Sequence, residues 1–253
     1  MHDTLVSVIR PEGAVSLRYP VRAKLEAWVL PEGPVPESIP HSSAAQRLEL
    51  VLSHWAEHCG RNVRVARNLA IRWLRDAPRT GIDPDICLLE PPPEEFSELG
   101  SLCTWKPGHV VPPLCIEVVS SNHPYKDYVE IQDRYAAMGT HELVVFDPLL
   151  AGPGSLGGPV ALQVWRRDRI GLFERVHFGD DPAYSEVLNA WLLPRDRMLE
   201  VANDRTGDTV WMSGEEQARL SAERALNEAD RERSAREDIE RRLAELEARL
   251  KGS

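Results

Sequence analysis

Apolar positions recur along this chain with helical, strand and heptad periods, and each predicts an element. From Ser42 to Cys59, Ala45, Leu48, Val51, Leu52 and Trp55 repeat at helical spacing after Pro40, with His41 or Ser42 placed to cap the helix. Asn62–Trp73 is dense in Val, Ile and Leu and predicts one or two strands. Ile86–Leu89 follows the Asp83-Pro84-Asp85 turn as another, and Ile116–Val119 continues the sheet after Pro112 and Pro113. Tyr128, Ile131, Tyr135 and Met138 stand three, four and three residues apart, an amphipathic helix over Tyr125–Met138 stopped by Gly139. Glu142–Phe146 is then a nearly continuous apolar strand ending at Asp147-Pro148. This strand, helix, strand order predicts a crossover between parallel neighbours. After a Gly/Pro-rich loop over residues 149–158, Val160–Trp165 and Leu172–Phe178 predict a hairpin turning at Asp168–Gly171.

Beyond Ser213 the pattern changes. Gly, Pro and aromatic residues vanish after Gly214 until Gly252, and Ala, Glu, Arg and Leu dominate, which predicts a long helix with 11 acidic and 9 basic residues. Ile239, Leu243, Leu246 and Leu250 recur at spacings of four, three and four, the seam along which two helices can pair. Carried backwards, the same frame meets Arg236, Glu232 and then Ala229, Ala225, Ala222 and Ala218, so a coiled coil would be weak or packed by small residues, and a solvated single helix is the competing reading. The chain divides accordingly into residues 1–212 and a charged helical tail, 213–253.

The 253 residues are 42% hydrophobic, which excludes a disordered or fibrous chain. A formal net charge of -10 leaves no basic stripe for tight, sequence-independent duplex binding. Cys59, Cys87, Cys103 and Cys115 contain no C-x-x-C pair, so neither a zinc framework nor a compact disulfide scaffold is expected, and a reducing cytoplasm is the default location. The first ten residues lack the features of a signal peptide, and no apolar run approaches the length of a membrane span.

The candidate chemistry rests on two carboxylates. Glu117 interrupts the apolar run Cys115-Ile116-Glu117-Val118-Val119, where a carboxylate is expensive unless it is paired, hydrogen-bonded or bound to a metal. Asp85 opens the preceding strand. Two such groups on adjacent strands suit Mg²⁺ or Mn²⁺, hard ions that keep water positions open and can serve phosphodiester hydrolysis. The competing reading is structural: Glu117 faces solvent or pairs with an Arg, and Asp85 only shapes a turn.

The ordered set Asp83-Pro84-Asp85-Ile86, Ile116-Glu117-Val118-Val119-Ser120-Ser121, Asp127, Tyr135-Ala136-Ala137-Met138-Gly139 and Glu142–Pro148 resembles the restriction endonuclease family often called Uma-two, over roughly residues 20 to 200. Trp28–His41 is similar to the family's opening segment with its His before the first helix. The resemblance implies an α/β fold of the PD-(D/E)XK restriction-endonuclease type, a mixed sheet flanked by helices, here followed by the helical tail. It makes Asp85 and Glu117 the metal-binding carboxylates, adds the backbone carbonyl of Val118 as a third ligand, and implies DNA as substrate and a homodimer as the acting form. The basic residue departs from the pattern. The superfamily's Lys falls at Val119, and the Lys that many relatives carry on the following helix falls at Ile131. Lys126 is the nearest substitute, since a flexible ammonium at the start of the helix can reach a scissile phosphate; its bland alternative is a surface Lys paired with Glu130.

Other groups are open to two readings. His41 and His123 could orient a carboxylate, although a His before a helix is more often a cap, and Tyr135 has the spacing of a core residue. Glu130 and Gln132 are further polar candidates, and Glu26 or Glu37 could supply another carboxylate. Two functions lead: a Mg²⁺-dependent DNA endonuclease using Asp85, Glu117 and Lys126, or a nuclease-fold module without catalysis that acts as a binding or scaffold protein through its tail; a third, the same fold acting on structured RNA or single strands, ranks last for want of an aromatic-rich basic patch. The first two separate on geometry, by whether the Lys126 ammonium converges with Asp85 and Glu117 or points to solvent.

Overall fold

A computed structural model describes residues 8–9, 15–17, 28–30, 38–121, 124–156 and 158–251. His123, Glu26 and Glu37 lie outside the described residues. The chain separates into two units, Met1–Trp211 and Met212–Ser253.

The first unit is built on a mixed eight-stranded sheet. Its strands are β1 (Val8–Ile9), β2 (Val15–Leu17), β3 (Arg64–Arg67), β5 (Ile86–Leu89), β7 (Leu114–Val118), β8 (Glu142–Phe146), β9 (Leu162–Arg167) and β10 (Phe173–Gly179), in the order β1-β2-β10-β9-β8-β7-β5-β3. Two smaller sheets accompany it: the parallel pair β4 (Ile71–Arg72) and β6 (Leu102–Cys103), and the meander β11 (Ala183–Ser185), β12 (Ala190–Arg195) and β13 (Met198–Ala202). The predicted crossover is present, with β7 and β8 pairing in parallel and the helix between them. The predicted hairpin is β9–β10, closed by the Asp168 amide on the Leu172 carbonyl at 2.8 Å. The Asn62–Trp73 segment supplies both β3 and β4, as one or two strands were expected there, whereas β6 and the meander were not foreseen; β6 is two residues long and β11 three.

The central strands are buried on both faces, as neighbours of a parallel pair usually are. Ile86, Leu88, Leu114, Ile116, Val118, Val144 and Phe146 pack into one core with helix α1 (Ile39–His58) and the meander. Cys87, Leu89, Cys115, Val119, Leu143 and Val145 point to the opposite core, with helix α2 (Ile131–Met138), Tyr128 and Phe173. By the two-residue period of a strand, Glu117 belongs to the α2 side and Glu142 to the α1 side.

Two helix starts differ from expectation. α1 begins at Ile39, earlier than Ser42, with Pro40 in its first turn, where the missing N–H costs nothing. His41 is therefore inside the helix, while the Ser42 hydroxyl accepts a 3.0 Å hydrogen bond from Arg67. The segment expected as one α-helix over Tyr125–Met138 opens with π-helical winding at Lys126–Glu130, in which the Ile131 amide reaches back to the Lys126 carbonyl. Gly139 ends α2 at φ 101°, a left-handed conformation open to glycine.

The second unit is helix α3 (Gly214–Lys251). Ser213 and Glu216 exchange hydrogen bonds, the Ser213 amide donating to Glu216 Oε2 at 2.9 Å and the Glu216 amide to Ser213 Oγ at 3.2 Å. This capping box supplies partners for amides that the first turn cannot pair.

Candidate functional site

The β5–β7 register builds the site. Ile86 lies across from Ile116 and Cys87 from Cys115, so one further step along the antiparallel pair carries Asp85 to the position facing Glu117. Both residues are buried. Oδ2 of Asp85 accepts the Val118 amide at 2.7 Å and faces Nε2 of His41 at 3.1 Å. Asp85 therefore ties the end of β7 to the first turn of α1, a role beyond shaping a turn.

Glu117 projects from β7 toward α2, where Oε1 accepts a hydrogen bond from the Tyr135 hydroxyl. Its carboxyl is pushed well above the ordinary carboxylate range, first by burial and then by the neighbouring Asp85 charge, with Lys126 and the Tyr135 hydrogen bond acting against the shift. Burial raises Tyr135 as well, so the hydroxyl stays protonated and donates.

Lys126 occupies the π-helical turn. Its ammonium lies 3.4 Å from Oδ1 of Asp127, and the side chain keeps 49% of its surface exposed. The strongest influence on it is Glu117, which together with Asp127 and Asp85 holds the ammonium charged against the opposing effect of burial. Its ion-pair partner is thus Asp127, with Glu117 and Asp85 acting on it electrostatically. Asp127 is itself buried, receives the Ser120 amide on Oδ2 at 3.2 Å, and is raised by desolvation. Gln132 braces the same turn by donating to the Asp127 carbonyl at 2.8 Å.

The second buried strand carboxylate shows what a structural acid looks like in this fold. Glu142 meets the Arg166 guanidinium at 3.1 Å, the Ser185 hydroxyl and the Glu186 amide at 2.9 Å. Its charge is answered by a cation and its acceptors are filled. Glu117 receives a neutral phenol and shares its surroundings with two more acids.

A profile of the family described as "Uma2: Putative restriction endonuclease" matches residues 28–202. The chain belongs to this family. No curated protein matches the chain. Among the solved chains that match is one described as a "putative nuclease belonging to DUF820" from Anabaena variabilis, with 17% identity, a TM-score of 0.43, and coverage of 62% of this chain and 78% of that one. The matched range includes every strand and helix that supplies the site and stops before α3.

Within this Uma2 domain, Val119 and Ile131, the two positions where a Lys was sought, are each only 1% exposed and belong to the α2-side core. An ammonium there would have to be buried among Cys87, Cys115 and Tyr135. Positive charge comes from flanking positions instead. Lys126 stands five residues before Ile131, and Arg134 stands three after it, within electrostatic reach of Glu117 and Asp83. From the sequence, Arg134 is not singled out, Asp127 stands in the motif set without a role, and Tyr135 favours core packing. The signal for Arg134 and Tyr135 was their shared helical face with Ile131.

The donors suit a hard dication. Two carboxylates face each other on adjacent strands, and the Val118 carbonyl, which on an extended strand points to the same side as its amide, joins them. Among the described residues no helix is long and apolar enough to cross a membrane.

Proposed function

We propose that residues 1–212 form a Mg²⁺- or Mn²⁺-dependent endonuclease domain that hydrolyses DNA phosphodiesters, with Asp85 and Glu117 holding the ion and Lys126 serving the reacting phosphate. The observation that carries this reading is the buried Asp85–Glu117 pair, two acids placed face to face whose mutual repulsion is relieved by a proton on Glu117 or by a bound cation. A dication bound there would supply charge neutralisation for the phosphate and an acidified water. The protein's own groups do the rest. His41 and the Val118 amide fix the Asp85 carboxylate, Tyr135 fixes Glu117, and the half-exposed Lys126 side chain, its ammonium held charged, offers a donor to a phosphate oxygen. All four cysteines are free thiols, and burial pushes Cys87 up to about 12, which suits a reducing, cytoplasmic setting.

Val119 and Ile131 favour a second reading, a nuclease-fold module without catalysis that binds partners through its tail. Nicking of supercoiled plasmid separates the two. The wild type is assayed in Mg²⁺ and in Mn²⁺ beside Glu117→Ala and Glu117→Gln. Metal-dependent nicking that both variants lose supports the endonuclease. Equal, negligible activity in all three proteins overturns it in favour of the binding module.

A further inference from the structure

The last turns of α1 carry a second group of ligands. His54, Glu57 and His58 stand at i, i+3 and i+4, so their side chains share one helical face. One ligand atom from each lies within 4.8 Å of the others, and among the described residues this is the group of three that meets that condition. The two imidazole rings are 4.4 Å apart between centroids.

His58 is also oriented. Its Nδ1 lies 2.7 Å from the backbone carbonyl of His54. A carbonyl only accepts, so Nδ1 carries the proton and the lone pair stands on Nε2, directed away from the backbone. A hydrogen bond from the second ring nitrogen to a carbonyl is the arrangement that sets the tautomer and angle of a metal-ligating imidazole.

We propose that His54, Glu57 and His58 form a surface site for a transition-metal dication of the Zn²⁺ class, with two imidazole nitrogens and one carboxylate oxygen as ligands and a fourth position open to solvent. The donor set makes the choice of ion. Imidazole nitrogen favours borderline ions, whereas Mg²⁺ and Mn²⁺ favour the all-oxygen set at Asp85 and Glu117. His54 is thirteen residues along α1 from His41, about 20 Å at 1.5 Å per residue, so this site stands apart from the carboxylate pair and does not depend on its activity.

Zn²⁺ titrated calorimetrically into the full chain, in the presence of excess Mg²⁺, tests this. Binding is expected at one site per chain, weakened roughly tenfold or more in His54→Ala and His58→Ala and less in Glu57→Gln. It should be unchanged in Asp85→Asn/Glu117→Gln. Cu²⁺ used as a spin probe should show two coupled imidazole nitrogens in the wild type and one in His58→Ala. Glu57 and His58 are exposed and His54 is half-buried, and unchanged helical circular dichroism verifies that each variant folds. Wild-type Zn²⁺ affinity in a His54→Ala/His58→Ala protein overturns the proposal, as does Zn²⁺ binding lost in the Asp85→Asn/Glu117→Gln protein instead.

Discussion

The Tyr135 hydroxyl donates to Oε1 of Glu117, and both residues are buried between β7 and α2. Because this bond favours the ionised carboxylate, its loss moves Glu117 further upward. Tyr135→Phe keeps the ring that packs in the α2-side core and deletes only the donor. Mn²⁺ affinity near neutral pH should therefore fall severalfold, and stability should drop by about 1–3 kcal/mol for the acceptor left without its partner. Isothermal titration and a chemical melt measure the two effects. Unaltered Mn²⁺ affinity would remove Tyr135 from the site and leave it a core residue.

The raised Glu117 carboxyl sets a pH dependence. A carboxyl whose folded value exceeds its unfolded value binds more protons when folded, so its contribution to stability is complete below the unfolded value and disappears as pH rises through the folded one. A bound dication must displace that proton, so apparent metal affinity should rise by up to about tenfold per pH unit until Glu117 is ionised. Thermal melts with and without Mn²⁺ across the neutral range should show apo stability falling while the metal-induced increment grows. In Glu117→Gln the increment should be small at every pH. A wild-type increment independent of pH would place the ion on groups that are already ionised.

The central secondary structure was legible because its apolar periods are long: α1, β5, the β7–α2–β8 crossover and the β9–β10 hairpin are all present, with the starts of α1 and α2 displaced. Asp85 and Glu117 were legible for a different reason, as polar residues interrupting or opening apolar strands. Glu142 gave the same signal at the head of β8 and turned out to be an ion-pair partner of Arg166, 24 residues away in the chain. Sequence alone does not separate the two cases, since the distinction lies in which side chain from a distant strand reaches the carboxylate. Among the sequence candidates His41 could orient a carboxylate, and it faces Asp85 across 44 residues, but the sequence does not disclose the π-helical winding at Lys126–Glu130.

The Glu142–Arg166 pair makes its own prediction. Glu142 is fully buried, and Arg166 spans from it to Glu186 at 2.9 Å and to the Tyr184 carbonyl at 2.9 Å, joining β8 and β9 to the β11 end of the meander. Arg166→Ala leaves a buried carboxylate without its cation and should cost about 3–5 kcal/mol. Glu142→Gln/Arg166→Met, which removes both charges, should recover much of that loss. Denaturant melts give the comparison. Mn²⁺ affinity should stay at the wild-type value in the double variant, and its loss there would mean that the meander supports the candidate site.

Helix α3 presents Ile239, Leu243 and Leu246 at 58%, 55% and 55% exposure, an apolar seam that a lone helix leaves wet. In a parallel, in-register pair of such helices, the heptad places Glu228 beside Arg233 of the second copy, an opposite-charge pair. A homodimer, if the chain forms one, would have its contact along this seam. The Ala-lined first half and the Glu232–Arg236 interruption make that contact weak, so mass should depend on concentration, with monomer at low micromolar and dimer well above it. Leu243→Glu/Leu246→Glu in the full chain should leave a monomer throughout the range, and removal of residues 213–253 should do the same, both read by light scattering. A seam variant that remains dimeric would move the self-association to residues 1–212 and free α3 for a different partner.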